Sequence, residues 1–119
     1  LSCNFWDTED SRVGLNLASG GNESFCNENC LWINGVLYPL TDVLFQPEDD
    51  CSWSIRSLDH RLNLTVSTGW RRYENLNLRL VGSQFSQWQA KISGTIQQDG
   101  TEIILLNEYG LLEQHYAKW

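Results

Sequence analysis

The sequence predicts an all-β protein, an antiparallel β-sandwich or jelly roll. Three observations lead there. Apolar residues recur at every second position over several runs, turn-forming residues break the chain at short intervals, and no stretch carries a convincing helical period. The chain has 119 residues, 41% of them apolar, with six Trp, four Tyr and four Phe. That is one domain's length with enough large side chains to bury a core, which excludes low-complexity disorder.

Along the chain, residues 1–25 are richer in Asn, Ser, Gly and Asp than the rest, and they read as an N-terminal extension ahead of a body at 26–119. Residues 31–38 and 52–56 read as short strands separated by a Pro-containing acidic loop at 39–50. In the second of these, Trp53 shares a face with Ile55 and belongs to the core. Leu62, Leu64 and Val66 alternate with Asn63, Thr65 and Ser67, the pattern of a half-buried strand. The next run puts Leu76, Leu78 and Leu80 inward, with Asn75, Asn77 and Arg79 outward.

Trp88, Ala90 and Ile92 share the face of a third run, which then meets Ser93-Gly94. Glycine inside a strand pattern marks a bulge or a close approach of backbone. Asp99-Gly100 separates two further runs and signals a hairpin, because a type I′ turn needs positive φ at both central residues. Residues 108–114 are the one stretch that admits a helical turn, and Gly110 interrupts it.

Charge narrows the partners. Eight Lys and Arg stand against 15 Asp and Glu, a formal net charge of −7. Affinity for nucleic acid comes largely from basic side chains displacing counterions, so a nucleic-acid partner is not expected. No apolar run approaches the roughly 20 residues that span a bilayer, so no membrane insertion is expected either. Four cysteines, Cys3, Cys26, Cys30 and Cys51, fit a disulfide framework of an oxidising compartment. Zinc is the rival reading, because Cys26-x-x-x-Cys30 has a ligand spacing, though both His and the other two Cys lie far off in sequence. The sequons at Asn22 and Asn63 agree with a secreted or cell-surface location.

Several motifs together resemble the CUB domain family. Cys51-Ser52-Trp53-Ser54-Ile55 is similar to the Cys-x-Trp-x-Ile that opens an early CUB strand. Cys30 followed by Gly35-Val36-Leu37-Tyr38-Pro39 resembles that family's first half-cystine and the segment after it. Tyr73-Glu74-Asn75-Leu76-Asn77-Leu78-Arg79 looks like its Tyr-Asp-x-Leu-x-Ile-x strand, and His115-Tyr116-Ala117-Lys118-Trp119 like its closing strand. The resemblance implies an extracellular CUB-like sandwich over residues 26–119 and a Cys30–Cys51 disulfide. Cys3 and Cys26 are then left to tether the extension, each closure contributing roughly 3 kcal/mol in the chain-entropy model. No Cys follows Cys51, so the family's second cystine has no counterpart.

Many CUB domains bind calcium. Here Glu74 fills one acidic position and Glu108 is the nearest match to another, while Thr68 or Gly69 stands where the third acid belongs. Calcium wants six to eight oxygens, so Glu74 and Glu108 are weak candidates and no cofactor is expected.

For function, Trp70-Arg71-Arg72-Tyr73, with Glu74 beside it, reads as an aromatic-basic loop between two strands. Trp, Tyr and Arg dominate interaction hot spots, and internal cation-π stacking is the alternative role. Glu48-Asp49-Asp50 is a solvated acidic run or a docking point for a basic partner. His60 and His115 have no Ser or Cys in a recognisable nucleophile setting, so no catalysis is expected. The expectation is a non-catalytic extracellular module that recognises a protein. A carbohydrate-binding jelly roll, suggested by the Trp count and testable on the exposure of Trp32, Trp70 and Trp88, is one alternative. A structural module pairing through a sheet edge is the other.

Overall fold

The computed structural model describes residues 1–20, 28–78 and 81–118. Asn22 and Cys26 lie outside the described residues, as do Arg79, Leu80 and Trp119. The fold is all-β and antiparallel, with nine strands and no helix among the described residues. The strands are β1 (Ser2–Trp6), β2 (Arg12–Asn16), β3 (Cys30–Ile33), β4 (Val36–Pro39), β5 (Val43–Pro47), β6 (Ser52–Ser57), β7 (Leu62–Leu78), β8 (Val81–Gln98) and β9 (Thr101–Lys118). They form one open sheet in the order β4-β3-β2-β1-β9-β8-β7-β6-β5. Every neighbour is consecutive in the chain except the β1–β9 pair, so the connections form a meander in place of the Greek-key crossovers of a jelly roll.

The two edge strands, β4 and β5, are joined by only Leu40, Thr41 and Asp42. So short a link holds their ends together and forces the sheet to curl. Its inner face then covers itself: Leu31 of β3 and Ile55 of β6, far apart in strand order, belong to one buried cluster with Cys3, Phe5, Val13, Leu15, Leu64, Val66, Ile92, Ile96 and Leu105. Trp53, Trp88 and Phe45 pack against that cluster, which puts Trp53 where its strand pattern places it.

Several local expectations change. β1 and β2, read from the sequence as part of an N-terminal extension, lie in the middle of the sheet. Cys3 and Phe5, then Val13, Leu15 and Leu17, alternate into the core, a signal diluted by the polar residues between them. The acidic loop at 39–50 contains β5, whose Val43 is buried. Residues 31–38 are two strands, split by a tight turn at Asn34 and Gly35 with φ of 51° and 84°. Residues 108–114 are part of β9, paired continuously with β8, and Gly110 there lets β1 approach. A Cβ at Gly110 would lie 2.6 Å from the Ser2 carbonyl oxygen.

The Asp99-Gly100 hairpin forms as expected, with φ of 50° and 76°. Two bulges then reset the alternation. Between β7 and β8 the pairing passes from Thr68↔Ala90 to Arg71↔Trp88, leaving an extra residue in β7 at Gly69-Trp70. Between β8 and β9 it passes from Ile92↔Glu108 to Gly94↔Leu105, leaving the extra residue in β9 beside Asn107, whose φ is 57°. Even-numbered residues of β7 face inward before its bulge and odd-numbered ones after it. Leu76, expected inward, therefore pairs with Ser83 on the outer face and is exposed.

The hairpin between β6 and β7 depends on Asp59. Ser57 Oγ donates to Asp59 Oδ1 at 2.6 Å and accepts from the Leu62 amide at 2.9 Å, while Arg61 Nε donates to Asp59 Oδ2 at 2.6 Å. The Ser57 hydroxyl above all, and then Arg61, hold this carboxyl well below the usual carboxylate range. A depressed carboxyl stabilises the fold above its unfolded pKa, and that contribution is lost as pH falls through the folded value. Asp59→Asn is expected to cost about 1 kcal/mol at neutral pH after allowing for exposure, with the gap to wild type closing below about pH 4 in urea titrations.

Gly94 gives a sharper test of the fold. Its φ is 141°, and a Cβ there would sit 2.2 Å from the Asn63 carbonyl oxygen. Gly94→Ala is expected to cost more than about 3 kcal/mol in chemical denaturation, through backbone strain and clash. Gly82→Ala, where a Cβ meets nothing within 4 Å, should be close to neutral.

Candidate functional site

Strands β7, β8 and β9, of 17, 18 and 18 residues, run on past the core as a three-stranded ribbon. The Trp70–Tyr73 segment lies on this ribbon. It is continuous strand, not a loop, because β8 pairs with it on both sides of the bulge. Trp70 sits in the bulge and is 68% exposed.

Beyond the bulge, Arg71, Tyr73, Ser86, Trp88 and Leu112 share the inner face by register. Arg71 is gripped there. Its Nη2 donates to the buried Ser86 hydroxyl at 2.7 Å, and its guanidinium lies 4.9 Å from the Tyr73 ring centroid and 5.2 Å from that of Trp88. On the opposite face Arg72 pairs with Glu74, so the basic pair is divided between two faces and half of its charge is offset locally.

Trp88 also lines a pocket of about 490 Å³, together with Phe45, Trp53, Phe85 and Leu112. The arrangement combines a partly apolar cavity with an adjacent guanidinium whose only hydrogen bond among the described residues is the one to Ser86. No local sequence signal joins Phe45 and Trp53 to Trp88. Their meeting depends on the curl of the sheet.

The calcium candidates are not brought together. Glu74 lies opposite Phe85, which pairs with His115, seven positions beyond Glu108 on β9. At about 3.4 Å per residue that is more than 20 Å, whereas one ion holds its ligands within about 2.6 Å. Among the described residues no group of three His, Cys, Asp or Glu gathers anywhere.

Cys3, Cys30 and Cys51 are free thiols. The Cys30–Cys51 bond implied by the CUB resemblance is therefore not formed: Cys30 pairs with Pro39 beside the β4–β5 link, whereas Cys51 precedes β6 at the end remote from that link, where Pro47 pairs with Trp53. Cys30 Sγ donates instead to the Glu28 carbonyl at 3.3 Å. Burial first, and the negative field of Glu108 second, push the Cys3 thiol up to about 12.

Glu48 accepts from Ser54 Oγ and Asp49 from the Cys51 amide, so two of the three acids in that run order the turn into β6. Asn63 projects outward from β7 and is exposed. Trp32 and Trp70 are exposed and Trp88 is half-buried, with Trp32 lining one cavity and Trp88 another. The structure does bring His115 Nε2 within 2.8 Å of Ser83 Oγ, a contact between strands that sequence spacing hides. Ser83 is the third residue of β8, and the His115 ring meets Phe85 edge-on, 6.3 Å between centroids.

A family model described as a domain of unknown function, DUF2804, matches residues 2–119. The chain belongs to the DUF2804 family. The match begins within β1 and runs through β9, so the DUF2804 unit includes the two N-terminal strands as well as the ribbon. Nothing in it links the chain to CUB domains. No curated protein and no solved structure matches the chain.

The thiol chemistry of this DUF2804 chain is directly measurable. In native protein at pH 8 without reductant, iodoacetamide is expected to modify exposed Cys51, while Cys3 reacts only after denaturation, read by peptide mass spectrometry. Failure of Cys51 to react until reductant is added would show that it is oxidised.

Proposed function

We propose that this DUF2804 chain is a non-catalytic recognition module that engages a protein partner through the inner face of the projecting β7–β8–β9 ribbon. The observation that carries the reading is the Arg71 stack against Tyr73 and Trp88, with Trp88 shared by the adjoining aromatic pocket. Aromatic surface and an oriented guanidinium on a rigid strand frame supply large contact area at small entropic cost. The partner's contact segment presents an apolar side chain to the pocket and a carbonyl or carboxylate to Arg71. Tyr73 and Tyr116, both exposed, extend the same face along the ribbon.

We place the module in the extracellular space or on the cell surface. Support comes from the sequon at Asn63, which stands on the outer face of β7, where a glycan leaves the inner face open.

The test compares wild type with Trp70→Ala and Tyr73→Ala for proteins retained from an extracellular fraction. Each substitution is expected to weaken a specific interaction by about tenfold or more while leaving the melting temperature nearly unchanged, because both side chains are exposed. Equal retention by all three proteins, or a melting temperature that drops with affinity unchanged, would make the cluster structural. Arg71→Ala is unsuitable as the sole probe, since it strips the buried Ser86 hydroxyl of its partner.

A further inference from the structure

A second concave surface lies on the outer face of β1, β2 and β3. The register sets its residues in two rows: Asn4 opposite Gly14 opposite Trp32, and Trp6 opposite Arg12, which is followed by Asn34 at the β3–β4 turn. All are even-numbered and point away from the core, whose odd-numbered neighbours Phe5, Val13 and Leu31 are buried. The groove they line has a volume of about 690 Å³, within the range of about 300–1,000 Å³ typical of small-ligand sites.

Gly14 is its floor. A Cβ there would sit 2.9 Å from Asn4 Oδ1 and 3.5 Å from Trp32 Cε3, so the absent side chain is what lets Asn4 and Trp32 close in over the β2 backbone. Trp32, 38% exposed, stands on one side of this floor, and Trp6, 64% exposed, on the other and one row along. The Arg12 guanidinium lies 5.8 Å from the Trp6 ring centroid, which steadies that ring. Asn34 is committed to the turn, where its Oδ1 accepts from the Arg12 amide at 3.0 Å. The Asn4 amide has no hydrogen-bond partner among the described residues.

We propose that this groove is a binding site for a neutral pyranose glycan. The apolar C–H face of a pyranose packs on the electron-rich face of an indole, and its hydroxyls at the ring edge require planar amide and guanidinium groups, which Asn4 and Arg12 supply. Charge selects a neutral sugar. Arg12 is the one charged lining residue, it already faces Trp6, and Asp7, Glu9 and Asp10 rim the same hairpin on a chain of net charge −7. A polyanion would meet repulsion at that rim. The site is on the opposite face of the sheet from the ribbon's inner surface and does not depend on the protein-recognition reading.

The experiment titrates the full chain with short neutral gluco-, xylo-, manno- and galacto-oligosaccharides and, in parallel, with oligouronates, following tryptophan fluorescence and calorimetry. At least one neutral series is expected to bind, with Trp6→Ala and Trp32→Ala each weakening it by about tenfold or more and Gly14→Leu abolishing it. Trp70→Ala should bind the same sugar as wild type does, which separates this site from the ribbon. Circular dichroism confirms that each variant is folded. Absence of binding by every neutral series, binding that survives Trp6→Ala and Trp32→Ala together, or preference for oligouronates would overturn the proposal.

Discussion

A lone sheet with an apolar face has nothing to bury that face against except itself. In this protein no helix among the described residues covers the sheet, and the requirement is met by curling. The three-residue link from β4 to β5 holds the two edges together, and the meander does the rest. Leu31 and Ile55, on strands near opposite edges, meet in one cluster because the edges are tied. The glycines with the tightest surroundings serve the same end. Gly94 lets β8 press against β7, and Gly110 lets β9 take β1 at the seam where the chain's two ends pair.

Curling creates the cavity at the root of the ribbon, and the bulges decide which side chains face it. One extra residue in β7 and another in β9 shift the two-residue alternation by one step on either side of β8. Without the first bulge, Leu76 would look inward and Arg71 outward. With it, Arg71 comes to lie between Tyr73 and Trp88 and over Ser86, while Leu76 is left in solvent. A bulge here re-aims functional side chains as well as bending a strand.

The two faces of the sheet therefore carry different chemistry. The inner face of the ribbon offers aromatic rings around a held guanidinium. The outer face of β1–β3 offers two tryptophans across a glycine floor. Both stand on paired strands, where little conformational freedom remains to be lost on binding.

The sequence by itself determined the class of structure and several of its joints. Period-two alternation at 62–66 and 88–92, the Asp99-Gly100 turn and the irregularity at Ser93-Gly94 are encoded within a few neighbouring residues, because pleat and turn geometry act at that range. Asn34-Gly35 carried an equally local turn signal, and β1 and β2 a short alternation masked by polar composition. Only the tertiary structure decided the phase of β7 and β9 past their bulges, the meeting of Phe45 and Trp53 with Trp88, the distance between Glu74 and Glu108, and the separation of Cys30 from Cys51. Each of those depends on which strand lies alongside and in what register. That is settled by burying the whole inner face at once and leaves no mark on any single stretch of chain.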